Sequence, residues 1–140
     1  MSDFAEVSRV GRYRGIGYWV VTVLVVVESG VGGLWDIARV QFVRGLIVDL
    51  GYPTYFLVLL GIWKLLGAVA LLAPGAGLVK EWAYAGAFFV YTGAIVSHLT
   101  TGYERGEVIV LLMFTALTIA SWALRPPDRR ACSDEVHGRS

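Results

Sequence analysis

Ionisable side chains inside long apolar stretches are the residues of this chain that could do chemistry. Glu28 and Lys64 are two clear cases, and His98 is a borderline third. A charge at the centre of a bilayer costs about 2.5 to 3.5 kcal/mol on insertion scales, so such residues usually face the interior of a helix bundle and often mark function. A carboxylate, an ammonium group and an imidazole can together hold a polar ligand or move a proton.

The depths of these residues predict that they meet in one half of the bundle. Glu28 lies about seven residues from Trp35 and Lys64 about eleven from Pro53, which places them roughly 10 and 16 Å below the same membrane face. The flexible lysine stem can reach across that difference. His98 lies within about two residues of the same face. We therefore expect a polar cluster in the outer half of the membrane.

A repeat in the third apolar stretch adds a tyrosine to this cluster. Tyr84, Tyr91 and His98 are seven residues apart and share one helix face. The predicted ligand-binding residues are therefore Glu28, Lys64, Tyr91 and His98.

Each of these residues also has a structural interpretation. Glu28 and Lys64 could form an internal ion pair that fixes helix register without any ligand. A protonated, unpaired Glu28 or a Lys64 that extends to the interface are further alternatives. The tyrosines could simply pack, and His98 could bond to the outer loop.

Several classes of chemistry lack the residues they need. Cys132 is the only cysteine, so neither a disulfide nor dithiol exchange is expected. His98 and His137 are the only histidines, and only His98 lies in an apolar stretch, which argues against haem held by two intramembrane histidines and against a metal site. Nucleotide-binding and hydrolase motifs are missing too. We assign no catalytic residue, leave enzymatic activity open, and expect no nucleic-acid partner.

Four apolar stretches position these residues in a chain whose hydrophobic fraction is 56%, above the soluble average of about 45 to 50%. The twenty residues of the first stretch, at roughly 1.5 Å rise each, give about 30 Å, the thickness of the hydrocarbon core. The sequence predicts an all-α integral membrane four-helix bundle, with an N-terminal segment at 1–15, a transmembrane domain at 16–125 and a polar, disordered tail at 126–140. The predicted spans are residues 16–35, 53–73, 82–99 and 108–124.

The start of the first span also resembles a secretory signal peptide. Arginines precede the apolar run from Ile16 to Val27. Val27, Glu28 and Ser29 make a poor cleavage site, and Trp35 closes the stretch as an interface anchor would. We therefore favour a retained span.

The basic residues predict that both termini lie in the cytoplasm, since positively charged connections stay on that side. With the N-terminus inside, eight basic residues fall on the inner side and three on the outer. The inner set is Arg9, Arg12, Arg14, Lys80, Arg125, Arg129, Arg130 and Arg139, and the outer set is Arg39, Arg44 and Arg105.

The segment between the first two spans predicts a short amphipathic helix. Its apolar residues recur at near-helical spacing, at Ile37, Val40, Val43, Ile47 and Leu50. This helix could lie on the outer membrane surface or only cap the bundle.

The central fifty residues closely resemble the DoxX-like membrane proteins of bacteria. The likeness covers about residues 18–130 and rests on a GYP turn at Gly51 to Pro53, on K-x-x-G-A at Lys64 to Ala68, on EWAYAG at Glu81 to Gly86, and on Ser97 with His98. It implies a four-helix protein of the bacterial cytoplasmic (inner) membrane. The family is named after a subunit associated with quinone-linked sulfur oxidation, and most members have no assigned reaction.

One residue departs from the family pattern. Many DoxX-like proteins carry Asp or Asn where this chain has Val90, so the third span lacks a polar group there. Glu28 is a candidate to replace it.

These observations lead to three hypotheses about function. The first is a redox-accessory protein that binds a small molecule, such as a quinone, in the outer-half pocket; no cofactor is encoded by a motif. The second is a non-catalytic scaffold that packs against another membrane protein or a second copy. The third is a small carrier or channel, which four helices accommodate poorly. The lipid bilayer is a partner in all three.

Overall fold

Five α-helices make up most of the chain. The computed structural model describes residues 2–102 and 105–130, and no strand occurs within them. The helices are α1 (Ser2–Ala38), α2 (Gln41–Asp49), α3 (Tyr55–Leu72), α4 (Gly77–Thr101) and α5 (Arg105–Leu124), and a 3-10 turn follows at Pro127–Arg129. The all-α prediction is confirmed, and a short helix does lie between the first two long ones.

Three of the helices are long and apolar enough to cross a membrane. They are Arg9–Ala38 within α1, Tyr55–Leu72 and Arg105–Leu124. Helix α4 has 25 residues, about 37 Å at 1.5 Å per residue, so length does not limit it. Lys80, Glu81 and His98 lower its apolar character. The predicted count of four spans is therefore supported for three helices.

The four long helices pack in a closed ring. Helix α1 contacts α3 and α5, and α4 contacts the same two helices from the other side. The ring has one end that carries α2, here called the α2 end, and an opposite end that carries the α3–α4 connection and the 3-10 turn, here called the tail end.

Glycines set the closest helix crossing, between α1 and α3. A Cβ atom on Gly61 would lie 2.5 Å from the carbonyl oxygen of Gly33 and 2.7 Å from Cγ1 of Ile37. Real Cβ atoms do not approach other atoms so closely, so only glycine fits there. Small residues allow such approach in lipid, where helix association depends on close packing.

Helix α1 runs past its predicted end because its cap lies later in the chain. Arg39 adopts a left-handed conformation with φ 51°. The amide of Val40 donates to the carbonyl of Trp35 at 3.2 Å, and that of Arg39 donates to Asp36 at 3.2 Å. This is the Schellman pattern that closes helices. Asp36, predicted to begin the connecting segment, is therefore a residue of α1.

Two layers fill the middle of the bundle. Val25, Leu71 and Tyr84 form a buried apolar cluster. Next to it, towards the tail end, the hydroxyl of Ser121 lies 2.7 Å from those of both Thr22 and Tyr84, so α1, α4 and α5 share a buried hydrogen-bond network.

The tail end corrects the predicted position of Lys80. We expected it in a solvated connection, but it is a fully buried residue of α4. Its ammonium group donates to the carbonyls of Ala73 and Gly75. Because the last carbonyls of a helix lack partners within the helix, this lysine caps the end of α3.

Two neighbouring charged residues also differ from expectation. The predicted third span begins at residue 82, but α4 begins at Gly77, so Glu81 lies inside the helix. Its carboxylate pairs with Arg125. Arg125, counted among the basic residues of the inner side, has a buried guanidinium group that lies 5.1 Å from the ring centre of Tyr84.

Candidate functional site

Lys64 lies between two carboxylates of α1. Its Nζ is 3.6 Å from Oε1 of Glu28 and 3.4 Å from Oδ2 of Asp36. The lysine stem thus bridges the predicted difference in depth between Glu28 and Lys64. The Asp36 side chain is only 4% exposed, against 21% for Glu28 and 18% for Lys64. We call Glu28, Asp36 and Lys64 the charged triad.

The sequence of α1 explains how one lysine reaches both carboxylates. Glu28, Gly32 and Asp36 are four residues apart and lie on one helix face. A Cβ on Gly32 would lie 3.1 Å from Nζ of Lys64 and 3.3 Å from Oε1 of Glu28. The lysine head therefore occupies the space that the glycine leaves open.

Tyr91 joins the triad from α4. Its hydroxyl donates to the carboxylate of Glu28, and Ser29 donates to the same oxygen at 3.4 Å. Tyr91 is buried, and its ring stacks on Phe114 of α5 at 6.0 Å between centroids. Glu28 thus accepts two hydrogen bonds while it also faces the ammonium group of Lys64.

His98 is buried on the same face of α4 as Tyr84 and Tyr91, as their spacing predicts. Its Nδ1 lies 2.8 Å from the carbonyl oxygen of Ala94. A carbonyl only accepts, so Nδ1 carries a proton and donates it to this oxygen. This partner belongs to the histidine's own helix, rather than to the outer loop of the structural interpretation.

A cavity of about 640 Å³ connects these residues at the α2 end. All four predicted ligand-binding residues line it, together with Asp36. Its volume falls within the usual range for small-molecule sites, roughly 300 to 1,000 Å³, and most of its wall is apolar with a few polar groups. We call it the triad cavity. That these residues bind a ligand remains a prediction.

Helix α2 forms one wall of the triad cavity. Val43, Leu46 and Ile47 line it, while Arg44 points to solvent. Near α2, the hydroxyl of Tyr52 in the GYP turn lies 2.9 Å from that of Ser97, which ties this connection to the end of α4. The amphipathic pattern of α2 is therefore explained at least in part by the cavity that it closes.

A second cavity of about 490 Å³ adjoins the first between α3 and α4. The two share five wall residues, namely Phe56, Leu60, Lys64, Val90 and Tyr91. Its outer rim carries Leu59, Trp63 and Trp82, all exposed. We call it the α3–α4 groove. Val90, the departure from the family pattern, lines both spaces.

Sequence reasoning missed two acidic residues of the triad cavity. Asp36 was treated as part of a polar connection, although its eight-residue separation from Glu28 was a usable helical signal. Glu107 of α5 also lines the cavity, and no spacing connects it with the other elements. Asp36 could be found from the sequence, whereas Glu107 required the helix packing.

The residues that could ligate a metal do not form a group where side chains are described. Within residues 9–102, 105–127, 129 and 130, no three His, Cys, Asp or Glu side chains converge. Cys132, His137 and the predicted disordered tail from residue 131 onwards lie outside the described residues.

A separate charged cluster closes the tail end. The carboxylate of Glu81 pairs with Arg125 and accepts a hydrogen bond of 2.9 Å from Nε1 of Trp122. Partial burial opposes ionisation of Glu81, but these hydrogen bonds and the charge of Arg125 outweigh it and lower the pKa of this carboxyl. Arg129 lies 4.7 Å from the ring centre of Trp19. The cluster joins α1, α4 and α5 and adjoins neither cavity.

One comparison with known proteins is informative. The family model described as the DoxX-like family matches residues 20–121, about three quarters of the chain. No curated protein and no solved structure matches it significantly. The match includes all three members of the charged triad.

Proposed function

This chain belongs to the DoxX-like family, and on that premise we propose that it binds a small, polar-headed molecule in the triad cavity as a redox-accessory membrane protein. The observation that carries the proposal is the position of Lys64. Its ammonium group pairs with Glu28 and Asp36 and also lines an open cavity. An ion pair that served only to fix helix register would need no cavity beside it.

The proposed arrangement in the membrane is four spans with both termini in the cytoplasm of a bacterial cell. Helix α4 is the fourth span, because it completes the ring and contacts α3 and α5. The α2 end then faces the outer side of the cytoplasmic membrane, with α2 at its surface. The triad cavity lies in the outer half.

The groups of the cavity suit a quinone-like ligand. Lys64 can donate to a quinone oxygen, and a carboxylate can accept a proton that a quinol releases. None of the described residues carries electrons by itself. A redox role therefore requires a partner protein or a bound cofactor.

A scaffold is the second candidate, favoured by small exposed residues on α4. Ala85, Gly86 and Gly93 are exposed, and the two glycines line the groove and the triad cavity, so another membrane helix could approach α4 closely there. A carrier or channel ranks third, because a transport path along the bundle would have to cross the buried cluster of Val25, Leu71 and Tyr84. This cluster lies between the triad cavity and the hydroxyl network at Ser121.

Native mass spectrometry tests the proposal directly. The protein is released from its own membranes in mild detergent, and the mass of any retained molecule is measured. We expect a retained small molecule that is lost in the triple variant Glu28→Gln, Asp36→Asn, Lys64→Met. The matched control is Arg44→Gln, which changes an exposed charge outside the cavity.

A variant that keeps all triad charges distinguishes a loss of binding from misfolding. Gly93→Leu fills the cavity from α4, where an added Cβ would meet no heavy atom within 4 Å. Loss of the retained molecule in this folded variant supports the proposal. Equal retention by wild type and both cavity variants contradicts it. A retained protein subunit without any small molecule favours the scaffold.

A further inference from the structure

The charge of the triad cavity selects against anionic ligands. The described residues of its wall include three carboxyl groups, on Glu28, Asp36 and Glu107, and one basic side chain, Lys64. With all four groups ionised, their net charge is −2, and it is −1 if one carboxyl group is protonated. Like charges repel more strongly where water is scarce, so a carboxylate or phosphate head is disfavoured.

The hydrogen-bonding groups point the same way. Carboxylate oxygens only accept, and three carboxyl groups lie in the wall. The donors are the ammonium group of Lys64, already placed near two carboxylates, and the hydroxyl of Tyr91, which donates to Glu28. The hydroxyls of Tyr52 and Ser97 also line the wall but bond to each other, and Trp35 adds one indole donor. The wall is therefore rich in acceptors, and a ligand head that donates hydrogen bonds complements it.

The α3–α4 groove continues the site in an apolar direction. Lys64 and Tyr91 stand in the wall of both spaces, and Lys64 is the only charged residue among those described in the groove. From Tyr91 to Val79 the groove follows α4 for about 18 Å at 1.5 Å per residue, long enough for one dodecyl chain. Its exposed rim opens towards the acyl chains of a bilayer.

We propose that the ligand is a single-chain amphiphile whose head is cationic or hydroxyl-bearing, with the head in the triad cavity and the chain in the α3–α4 groove. This inference rests on the proposed function and adds the chemical class of the ligand. The shared chemistry is a hydrogen-bond donor that bears no negative charge. A two-chain anionic phospholipid does not fit, because its phosphate meets the acidic wall.

Three dodecyl probes test the head. Dodecylamine, dodecanol and dodecanoate are added to the full-length protein in phosphatidylcholine nanodiscs, and bound adducts are titrated by native mass spectrometry. We expect dodecylamine and dodecanol to bind saturably and at least about tenfold more tightly than dodecanoate. Equal or tighter binding of dodecanoate overturns the assignment of the head.

A shorter amine and two glycine variants test whether the alkyl chain of the ligand lies in the α3–α4 groove. Butylamine should bind at least about tenfold more weakly than dodecylamine. Gly86→Leu narrows the groove, where an added Cβ meets no heavy atom within 4 Å. It should weaken the binding of dodecylamine and leave the binding of butylamine unchanged. Gly93→Leu, one heptad further along α4, fills the triad cavity and should weaken the binding of both amines.

The outcomes separate this inference from the proposed function. If the molecule retained from native membranes is lost in Gly93→Leu, but butylamine matches dodecylamine and Gly86→Leu changes nothing, the cavity binds a ligand without a chain. Failure of all dodecyl probes, or retention of an anionic phospholipid in their place, also overturns this inference. The proposed function is then judged by the triad variants alone.

Discussion

At the residue scale, the ammonium group of Lys64 contacts two carboxylates at once. Sequence reasoning treated Glu28 and Lys64 as a pair, and on that basis removing both charges should restore much of the stability. With Asp36 3.4 Å from the same Nζ, a double neutralisation leaves a buried carboxylate behind. The triad must therefore be neutralised as a unit.

Lys64→Met should be the most destabilising single change in the triad. It leaves Glu28 and Asp36 facing each other without a counter-charge, whereas either carboxylate change leaves one pair intact. We expect a loss of about 3 kcal/mol, the low end for a broken buried pair because the ammonium group is partly exposed. Denaturant unfolding in mild detergent measures it.

The triple variant supplies the control for this prediction. Glu28→Gln, Asp36→Asn, Lys64→Met should recover at least half of the loss, since no buried charge stays unpaired. If the triple variant is as unstable as Lys64→Met, unpaired charge is not the cause of the destabilisation.

Glu81 should make stability depend on pH below its ordinary pKa of 4.5. A carboxyl with a lowered pKa in the folded state contributes fully above its unfolded pKa, and the contribution is lost as pH falls through the folded pKa. The wild type should therefore lose more thermal stability on acidification than Glu81→Gln does. Melting temperatures of both proteins from about pH 6 to about pH 3 measure the difference. If the melting temperatures of the two proteins fall in parallel, the ionised Glu81 carboxylate and its pairing with Arg125 do not contribute to stability.

At the element scale, the crossing of α1 and α3 determines whether the triad can form. Lys64 lies one turn from Gly61 on α3, and Asp36 lies three residues from Gly33 on α1. The close approach at the two glycines brings the charges within reach. Any change that separates the helices should weaken both the fold and the site.

Gly61→Ala should destabilise the protein by about 1 to 3 kcal/mol, the usual cost of overpacking. The new methyl group would meet the backbone of Gly33, which cannot move aside without shifting α1. Gly67→Ala is the matched control on the same helix, because its Cβ would meet open space. That change should be neutral or stabilising by about 0.5 to 1 kcal/mol, since alanine favours a helix. Equal effects of the two changes on the unfolding midpoint would contradict the close crossing.

At the scale of the whole molecule, the number of spans decides where the termini lie. Three spans place them on opposite sides of the membrane, and four place them on the same side. Composition alone supports α1, α3 and α5. Helix α4, like α1, packs against both α3 and α5, and in the proposed arrangement it is the fourth span.

The single cysteine offers a direct test of this topology. We expect a membrane-impermeant maleimide to leave Cys132 unlabelled in intact spheroplasts and to label it after the membrane is opened. In a Cys132→Ser background, Arg44→Cys on α2 should be labelled in intact spheroplasts and Arg9→Cys should not. Labelling of Cys132 from outside, with Arg9→Cys protected, would instead indicate three spans.

The sequence by itself determined the helical class, because apolar runs of membrane length have no other way to satisfy their backbone groups. It also indicated Glu28, Lys64, Tyr91 and His98 as candidates. Polar groups are costly in an apolar stretch, so they can be recognised there without any knowledge of packing. The heptad spacing placed the last two on one face of α4, and the structure buries both there. These properties are local, and local spacing suffices to read them.

Only the tertiary structure decided which groups meet across helices. The spacing of Asp36 from Glu28 could be read from the sequence, but whether the helix continues as far as Asp36 depended on a left-handed cap at Arg39, a conformation that sequence seldom indicates for arginine. The second carboxylate contact of Lys64 depended on that cap and on the Gly33–Gly61 crossing. Glu107 and Arg125 acquired their surroundings from chain segments far away in sequence. Contacts between helices follow from the geometry of their packing, which the periodicity within one helix does not specify.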